Sequence, residues 1–199
     1  MSFSILLHNI ADAEQGPKTC AVFDFDGTII SGYSATAFLK DQIARGEISP
    51  ADLVQLTQAA TRFGIGSLGF SALMAVHAQY LAGRSETDYI ANSERLFRRA
   101  IAKLIYPEAR QLIEAHRAAG HSIAIISSAT PYQVLPAAKD LGIEHVYATD
   151  LEVEDGQFTG GVVQPTCFGI GKVHAAERFT AQQGSDLENC FFYSDSTDD

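Results

Sequence analysis

Apolar side chains first concentrate at Cys20-Ala-Val-Phe-Asp-Phe25, a run with no polar face, which predicts a strand buried on both sides. It gives way at Asp26-Gly27-Thr28. From 34 to 106 the spacing turns helical, with breaks at Gly46, at Ser49-Pro50, at Gly64 to Gly69 and at Gly83. Ser34, Ser49 and Ser85 are placed as N-caps, and Pro50 fits a first helical position. No strand is predicted in this block. After Tyr106 helices and strands alternate. A helix over 107–119 carries Leu112, Ile113, His116 and Ala119 on one face, and Gly120 closes it. A strand over 122–127, a helix over 132–141 containing Pro136, and a short strand over 145–149 follow. Segments 151–153 and 157–159 flank Asp155-Gly156, a dipeptide that accepts the positive φ of a tight hairpin turn. A helix over 172–183 and a strand over 189–193 complete the pattern.

Strands alternating with helices imply an α/β fold, a doubly wound, Rossmann-like parallel sheet. The helical block is then an insertion, so the division expected is a core of residues 1–30 and 107–199 and a helical cap of residues 31–106. A length of 199 residues suits a core with one inserted unit, and 46% hydrophobic with 19% charged residues suits a globular chain. The formal charge of -10 sets the average field against nucleic acid and anionic membranes as partners. No apolar run reaches the roughly 18 residues of a membrane span. No Lys or Arg precedes Lys18, so the charged start of a signal peptide is lacking, and a soluble, cytoplasmic protein is expected. Cys20, Cys167 and Cys190 are odd in number and show no CxxC spacing, which disfavours disulfides and thiolate zinc. They are read as reduced, with Cys20 and Cys190 in buried strands.

Ligands of an open parallel sheet bind beyond the carboxyl ends of its strands. The strand assignments bring there Asp24 and Asp26, Ser127 or Ser128, Lys172, and Asp195 with Asp198 and Asp199. Carboxylates facing one another repel unless a cation lies between them, and hard oxygen ligands suit Mg2+. With a hydroxyl and a Lys they form a set for phosphoryl transfer. The metal and Lys neutralise phosphate oxygens, the hydroxyl and nearby amides hold the others, and a second carboxylate moves the proton. An EF-hand is excluded, because Ile29 and Ala35 stand where that loop needs Gly and Glu. Gly64-Ile-Gly-Ser-Leu-Gly69 follows a helical rather than a strand pattern, so it is no dinucleotide fingerprint. Gly169-Ile-Gly-Lys172 fails as a P-loop, with Thr166 at the first Gly position and Val173 at the Ser/Thr position. His8, His77, His116, His121, His145 and His174 show no ligand pairing and are assigned to surfaces or helix faces.

Four segments in order resemble the haloacid dehalogenase superfamily of phosphohydrolases, in its phosphoserine-phosphatase-like branch with a helical cap. They are Asp24-Phe-Asp-Gly-Thr28, Ile125-Ile-Ser-Ser-Ala-Thr-Pro131, Gly169-Ile-Gly-Lys172 and Tyr193-Ser-Asp-Ser-Thr-Asp-Asp199. The resemblance implies Asp24 as a nucleophile that becomes an aspartyl phosphate, and Asp26 as the acid that protonates the leaving alcohol and then activates water. It implies Mg2+ held by Asp24, the Asp26 main-chain carbonyl and Asp195. Phosphate would be held by Ser128, Ala129, Gly27 and Lys172, and Asp199 would support the metal from behind. Ser127 replaces Ser128 if the register slips.

Two departures from that branch bear on what to expect. Its members continue past the fourth motif into a helix and a strand, whereas this chain stops at Asp199, so a C-terminal element is expected to be missing. Members acting on phosphoserine place a Glu early in the cap, yet 29–39 holds no charged residue, so phosphoserine is not the favoured substrate. The leading expectation is a Mg2+-dependent phosphomonoesterase for a small phosphorylated metabolite. A phosphotransferase using the same intermediate, or a catalytically weak phospholigand-binding regulator, are the alternatives. Arg62, His77 and Arg84 are candidates for substrate selection by the cap.

Overall fold

The computed structural model describes residues 2–48, 54, 58 and 67–196, with side chains from 70 onward in the last stretch. The Ser49-Pro50 cap, the Gly64 to Gly69 segment apart from its last helical residues, Arg62, Asp198 and Asp199 lie outside the described residues or their side chains.

The strand β1 (Cys20–Phe23) is buried at every position, as its apolar run demands. It pairs in parallel with β2 (Ser122–Ile126) on one side and β6 (Cys190–Tyr193) on the other, and β3 (His145–Tyr147) pairs with β2, giving the order β3-β2-β1-β6. In register, Cys20 stands opposite both Ser122 and Cys190. The pleat sends Ala21, Phe23 and Ile125 to one face, where they pack with Leu112 and Ile113 of α5 (Pro107–Ala118) and Ile10 of α1 (Phe3–Asp12). Cys20, Val22, Ala124 and Ile126 face the other way, onto Ala175, Ala176 and Phe179 of α7 (Ile170–Gln182). Helices on both faces make the sheet doubly wound, as expected. Each fully buried Phe in this core contributes about 1.5–3 kcal/mol.

Between β1 and α5 come α2 (Ser34–Ala44), α3 (Ser67–Leu81) and α4 (Glu86–Leu96), followed by a π-turn (Phe97–Ile101) and a short 3-10 turn (Ala102–Leu104). The insertion leaves and rejoins the sheet side by side. Ile30 bridges Ile105, the Ser31 N–H donates to the Leu104 carbonyl at 2.8 Å, and the Tyr106 N–H donates to that of Ile29 at 2.9 Å. Ser85 caps α4 by accepting the Asp88 N–H, as predicted. Ser34 does not cap α2. It is the first helical residue, behind Tyr33, because its hydroxyl and amide both turn to a carboxylate of the core. The helix α6 (Pro131–Leu141) starts one residue before its prediction, with Pro131 where its missing N–H costs nothing.

The hairpin β4 (Leu151–Glu154) and β5 (Gln157–Val162) turns at Asp155 and Gly156, both with positive φ, as their chemistry predicts. It leans on the inserted helices rather than on the sheet. The Gln79 side chain donates to the Gly160 carbonyl at 3.0 Å, and the Phe158 N–H to the Arg84 carbonyl at 3.0 Å. Among the described residues, no helix is long and apolar enough to cross a membrane.

Three features depart from expectation. The N-terminal segment is a helix, α1, although none was predicted there. Cys190 is half-buried, not buried, while all three cysteines are free. His116 is buried on the apolar helix face that its spacing gives it, and His121 lies in the interior rather than at a surface, at 0% and 6% exposure. Their hydrogen bonds form one directed chain. The Glu14 carbonyl can only accept, so His121 Nε2 carries a proton at 3.2 Å from it, and His121 Nδ1 accepts from His116 Nδ1 at 2.8 Å. His116 Nε2 is then left to accept from the Tyr193 hydroxyl at 2.8 Å. Both imidazoles are neutral, and a further proton would meet another proton or the rings of Phe23 and Phe191.

Burial, assisted by His121, lowers the His116 pKa from 6.5 to about 4. Between those values the unfolded chain binds more protons than the folded one, so this site's stabilisation is complete above pH 6.5 and is lost as pH falls towards 4. The loss expected between pH 7.5 and pH 5 is about 1 kcal/mol after allowance for screening. Urea unfolding at pH 7.5 and pH 5 measures it. A His116→Gln variant should lose that share of the slope, and an unchanged slope would refute the assignment.

Candidate active site

The carboxyl ends of β1 and β6 are stitched together where the Asp24 N–H donates to the Tyr193 carbonyl at 2.9 Å. Asp24, one residue past β1, is thereby fixed at the centre of the sheet rim and is 6% exposed. Its carboxylate meets the ammonium of Lys172, itself 2% exposed, at 3.1 Å. Two such charges persist in an interior only with partners of opposite sign and further polar contacts. Lys172 reaches this depth because the chain before it folds tightly. At Gly171 a Cβ atom would stand 1.9 Å from the Thr166 carbonyl oxygen, so only glycine lets the start of α7 approach that loop. Cys167 is buried in the same loop and its N–H donates to Thr149 Oγ1 at 3.1 Å. Burial pushes its thiol up to about 11, so it stays protonated at neutral pH.

Phe25, fully buried, anchors the turn that follows, and its carbonyl accepts from the N–H groups of Ile29 at 2.9 Å and Ile30 at 3.1 Å. The turn swings Asp26 away from Asp24. Its carboxylate accepts from the Ser34 N–H at 2.7 Å and the Ser34 hydroxyl at 3.0 Å, at the N-terminus of α2, where the helix dipole favours negative charge. Burial nevertheless pushes the Asp26 pKa up, against the Ser34 hydrogen bonds and the Lys172 charge, and Asp195 pushes it the same way.

Gly27, at φ +78°, makes room for Asp195: a Cβ here would fall 2.2 Å from an Asp195 carboxylate oxygen. The Asp195 N–H is held by Thr28 Oγ1 at 3.0 Å. The first and fourth motifs therefore interlock, with the Asp195 carboxylate against the Asp24 turn. The Gly27 N–H donates to the Gly32 carbonyl at 3.0 Å, so this amide closes the turn here rather than facing a ligand. Ser127 is buried, and its hydroxyl accepts the Ala129 N–H at 3.2 Å, while Ser128 is half-buried on the same loop. Asp24, Asp26, Lys172 and Asp195 thus stand together, with the second-motif serines on the neighbouring strand end.

Among the described residues, no three Asp, Glu, His or Cys side chains converge as a metal-binding group, because the Asp26 carboxylate is turned to Ser34. The oxygen set that fits a hard cation is two carboxylates, Asp24 and Asp195, with the main-chain carbonyl of Asp26 between them in sequence. The cradle left by Gly27 supports this fit, since it lets the Asp195 carboxylate lie against the turn that carries Asp24 and the Asp26 carbonyl. A surface pocket of about 590 Å3, lined by Glu86, Ile90, Tyr132, Leu135, Lys139 and Val163, lies elsewhere. The chemistry is not there, as its polar groups are scattered along an apolar wall.

Sequence reasoning missed Thr28, Ser34 and Gln133, which hold the site from outside. Gln133 was legible in one respect, because Thr130 and Gln133 have the spacing of a capping box, and the box forms. Ser34 was marked only as an N-cap and Thr28 only as the end of the first motif, and neither mark pointed to Asp26 or Asp195.

A doubly wound parallel sheet with an acidic first turn, a buried Lys and a fourth-motif Asp on one rim defines the class as a Rossmann-like α/β core with helices inserted after its first strand. The chain belongs to the haloacid dehalogenase-like hydrolase family, whose model matches residues 21–199. It is 32% identical to a Mycobacterium tuberculosis protein named a probable phosphatase, over 92% of this chain and 64% of that one. It is 33% identical to the phosphoserine phosphatase SerB1 of the same organism, over 90% of this chain and 59% of that one. The chain therefore spans under two thirds of the length of these relatives. Among solved structures, it resembles a protein of unknown function from Bordetella pertussis, at 26% identity and a TM-score of 0.78, covering 90% of this chain and 83% of that one.

Proposed function

We propose that the chain is a phosphatase that hydrolyses a small phosphomonoester through an aspartyl phosphate on Asp24, with Mg2+ as cofactor. One observation carries the reading: buried Asp24 paired with buried Lys172 at 3.1 Å on the sheet rim, where the Asp195 carboxylate also sits. The ammonium holds the Asp24 carboxylate in place and offsets the charge of an incoming phosphate. An Asp24 oxygen attacks phosphorus, the bond from phosphorus to the alcohol oxygen breaks, and that oxygen takes a proton from Asp26. A water molecule then attacks the phosphorus of the aspartyl phosphate, its proton passes to Asp26, and phosphate leaves with Asp24 restored. Ser128 and Lys172 hold phosphate oxygens, and the Ala129 N–H joins them on exchanging its Ser127 partner.

Asp24, the Asp26 carbonyl and Asp195 would hold Mg2+, which when bound supplies charge neutralisation at the phosphate. Asp199 remains proposed as support behind it. Residues 31–106 act as a cap that covers the rim and excludes water, with 1–30 and 107–199 as the core. The names of the relatives support phosphate-ester chemistry without fixing one substrate, and the uncharged stretch 29–39 speaks for an ester other than phosphoserine.

Phosphate release from a panel of small phosphomonoesters tests the reading. Turnover should fall at least about 100-fold on chelation and return with Mg2+. Release that ignores chelation would remove the metal from the mechanism, and no release from any ester would remove the phosphatase.

A further inference from the structure

We infer that Gln133 is a positioning residue for Asp26: it fixes the direction of the Ser34 hydroxyl and so holds the proton-donor carboxylate in place across the junction of α2 and α6. The inference rests on the proposed role of Asp26. It follows from the bookkeeping of donors and acceptors in a site closed to water, where Ser34, Thr130 and Gln133 are 0%, 0% and 8% exposed.

The Thr130 N–H can only donate, and it lies 2.8 Å from Gln133 Oε1, which also receives the Thr130 hydroxyl at 2.9 Å. The orientation of the Gln133 amide is thereby settled. Its Nε2 points at Ser34 Oγ, 2.9 Å away, and donates to it. Ser34 has one hydroxyl proton. With its oxygen already accepting from Gln133, that proton goes to Asp26 Oδ2 at 3.0 Å, while the Ser34 N–H takes Oδ1 at 2.7 Å. Asp26 is thus gripped at both oxygens by one residue of the inserted helices, and that residue is aimed by Gln133 of the core. A hydrogen bond from Gln133 to Ser34 is also a direct tie between the two helix N-termini. Gln133 touches neither phosphate nor the reacting atoms and acts only through Ser34.

The Gln133→Glu variant separates this role from a merely structural one. Glu serves a capping box as well as Gln and suits a helix N-terminus, so the Thr130 cap and the fold persist, while the added buried carboxylate lowers the melting temperature by several degrees, a loss of stability that bears on both esters alike. What disappears is the donor to Ser34, replaced by an acceptor that competes for the hydroxyl proton. The readout is kcat/KM, which reports the step in which the leaving group departs, for an alkyl phosphate and for p-nitrophenyl phosphate. An alkoxide needs the proton from Asp26 and a nitrophenolate does not. For the alkyl ester kcat/KM should fall roughly 10- to 100-fold, as for a misplaced general acid, and for the aryl ester by less than about 3-fold.

In a Ser34→Ala background the same change should add no further loss, because the group it acts through is gone. Equal losses for both esters, no loss for either, or full additivity with Ser34→Ala would each overturn the positioning role while leaving the phosphatase reading intact. A parent chain that releases phosphate from neither ester would overturn that reading, and the positioning role with it.

Discussion

Phosphate release by the Asp24→Asn variant is expected to fall at least about 10^4-fold, with the fold retained. The substitution is nearly isosteric. An amide oxygen still accepts from Lys172 across the 3.1 Å contact, and the main-chain bond from residue 24 to the Tyr193 carbonyl is untouched. What is lost is the anionic oxygen that would bond to phosphorus, and no other described carboxylate can replace it. Asp26 is held by Ser34, and Asp195 is exposed, with its carboxylate against Gly27 and its N–H on Thr28. Phosphate release and a thermal melt of the same preparation check the prediction together. More than about 1% of parental turnover from a folded variant would refute Asp24 as nucleophile.

The order of strands and helices was legible because buried parallel strands advertise themselves as unbroken apolar runs. Cys20 to Phe23 and Ile123 to Ile126 leave no polar face, and the helix between them keeps Leu112, Ile113 and His116 on one side. The helix α1 was equally legible and was passed over. Phe3, Leu6, Leu7 and Ile10 have helical spacing, and the structure packs them on α5. The absence of Lys and Arg before Lys18 bears on targeting and carries no information on this helical period.

For the site, the rule that ligands meet the carboxyl ends of strands placed Asp24, Lys172 and Asp195 on one rim. It could not set their separations. The depth of Lys172 depends on Gly171 passing the Thr166 carbonyl, and the place of Asp195 depends on the missing Cβ of Gly27. Both are contacts between distant segments. The same holds for Ser34, read as an N-cap from its neighbours. Its hydroxyl was claimed instead by a carboxylate eight residues earlier and by an amide on another helix. Polar side chains obey whichever partner is nearest in space, and local pattern carries no record of that partner. The hydrogen bond between His116 and His121 was missed for this reason, since each is ordinary on its own helix face or loop.

Lys172→Met is expected to cost more stability than any other single change at the rim, about 3–5 kcal/mol, and to lower kcat/KM roughly 10^3-fold. Met has nearly the length of Lys and fills the same buried space, so packing is largely kept. The ammonium is gone, and a carboxylate only 6% exposed then faces the interior without the charge that faced it. That penalty belongs to the buried carboxylate that has lost its opposite charge rather than to the lost contact. Removing the charge on both sides should therefore be milder: the double variant Lys172→Met with Asp24→Asn is predicted to recover most of the stability lost in Lys172→Met alone. Activity should not recover, because the nucleophile is missing as well. Urea unfolding of the parent, the two single variants and the double variant gives the coupling directly. If Lys172→Met unfolds at the parental urea concentration, the buried pair is not what holds Asp24 at the centre of the sheet, and the site must be held by the Tyr193 and Thr28 contacts instead.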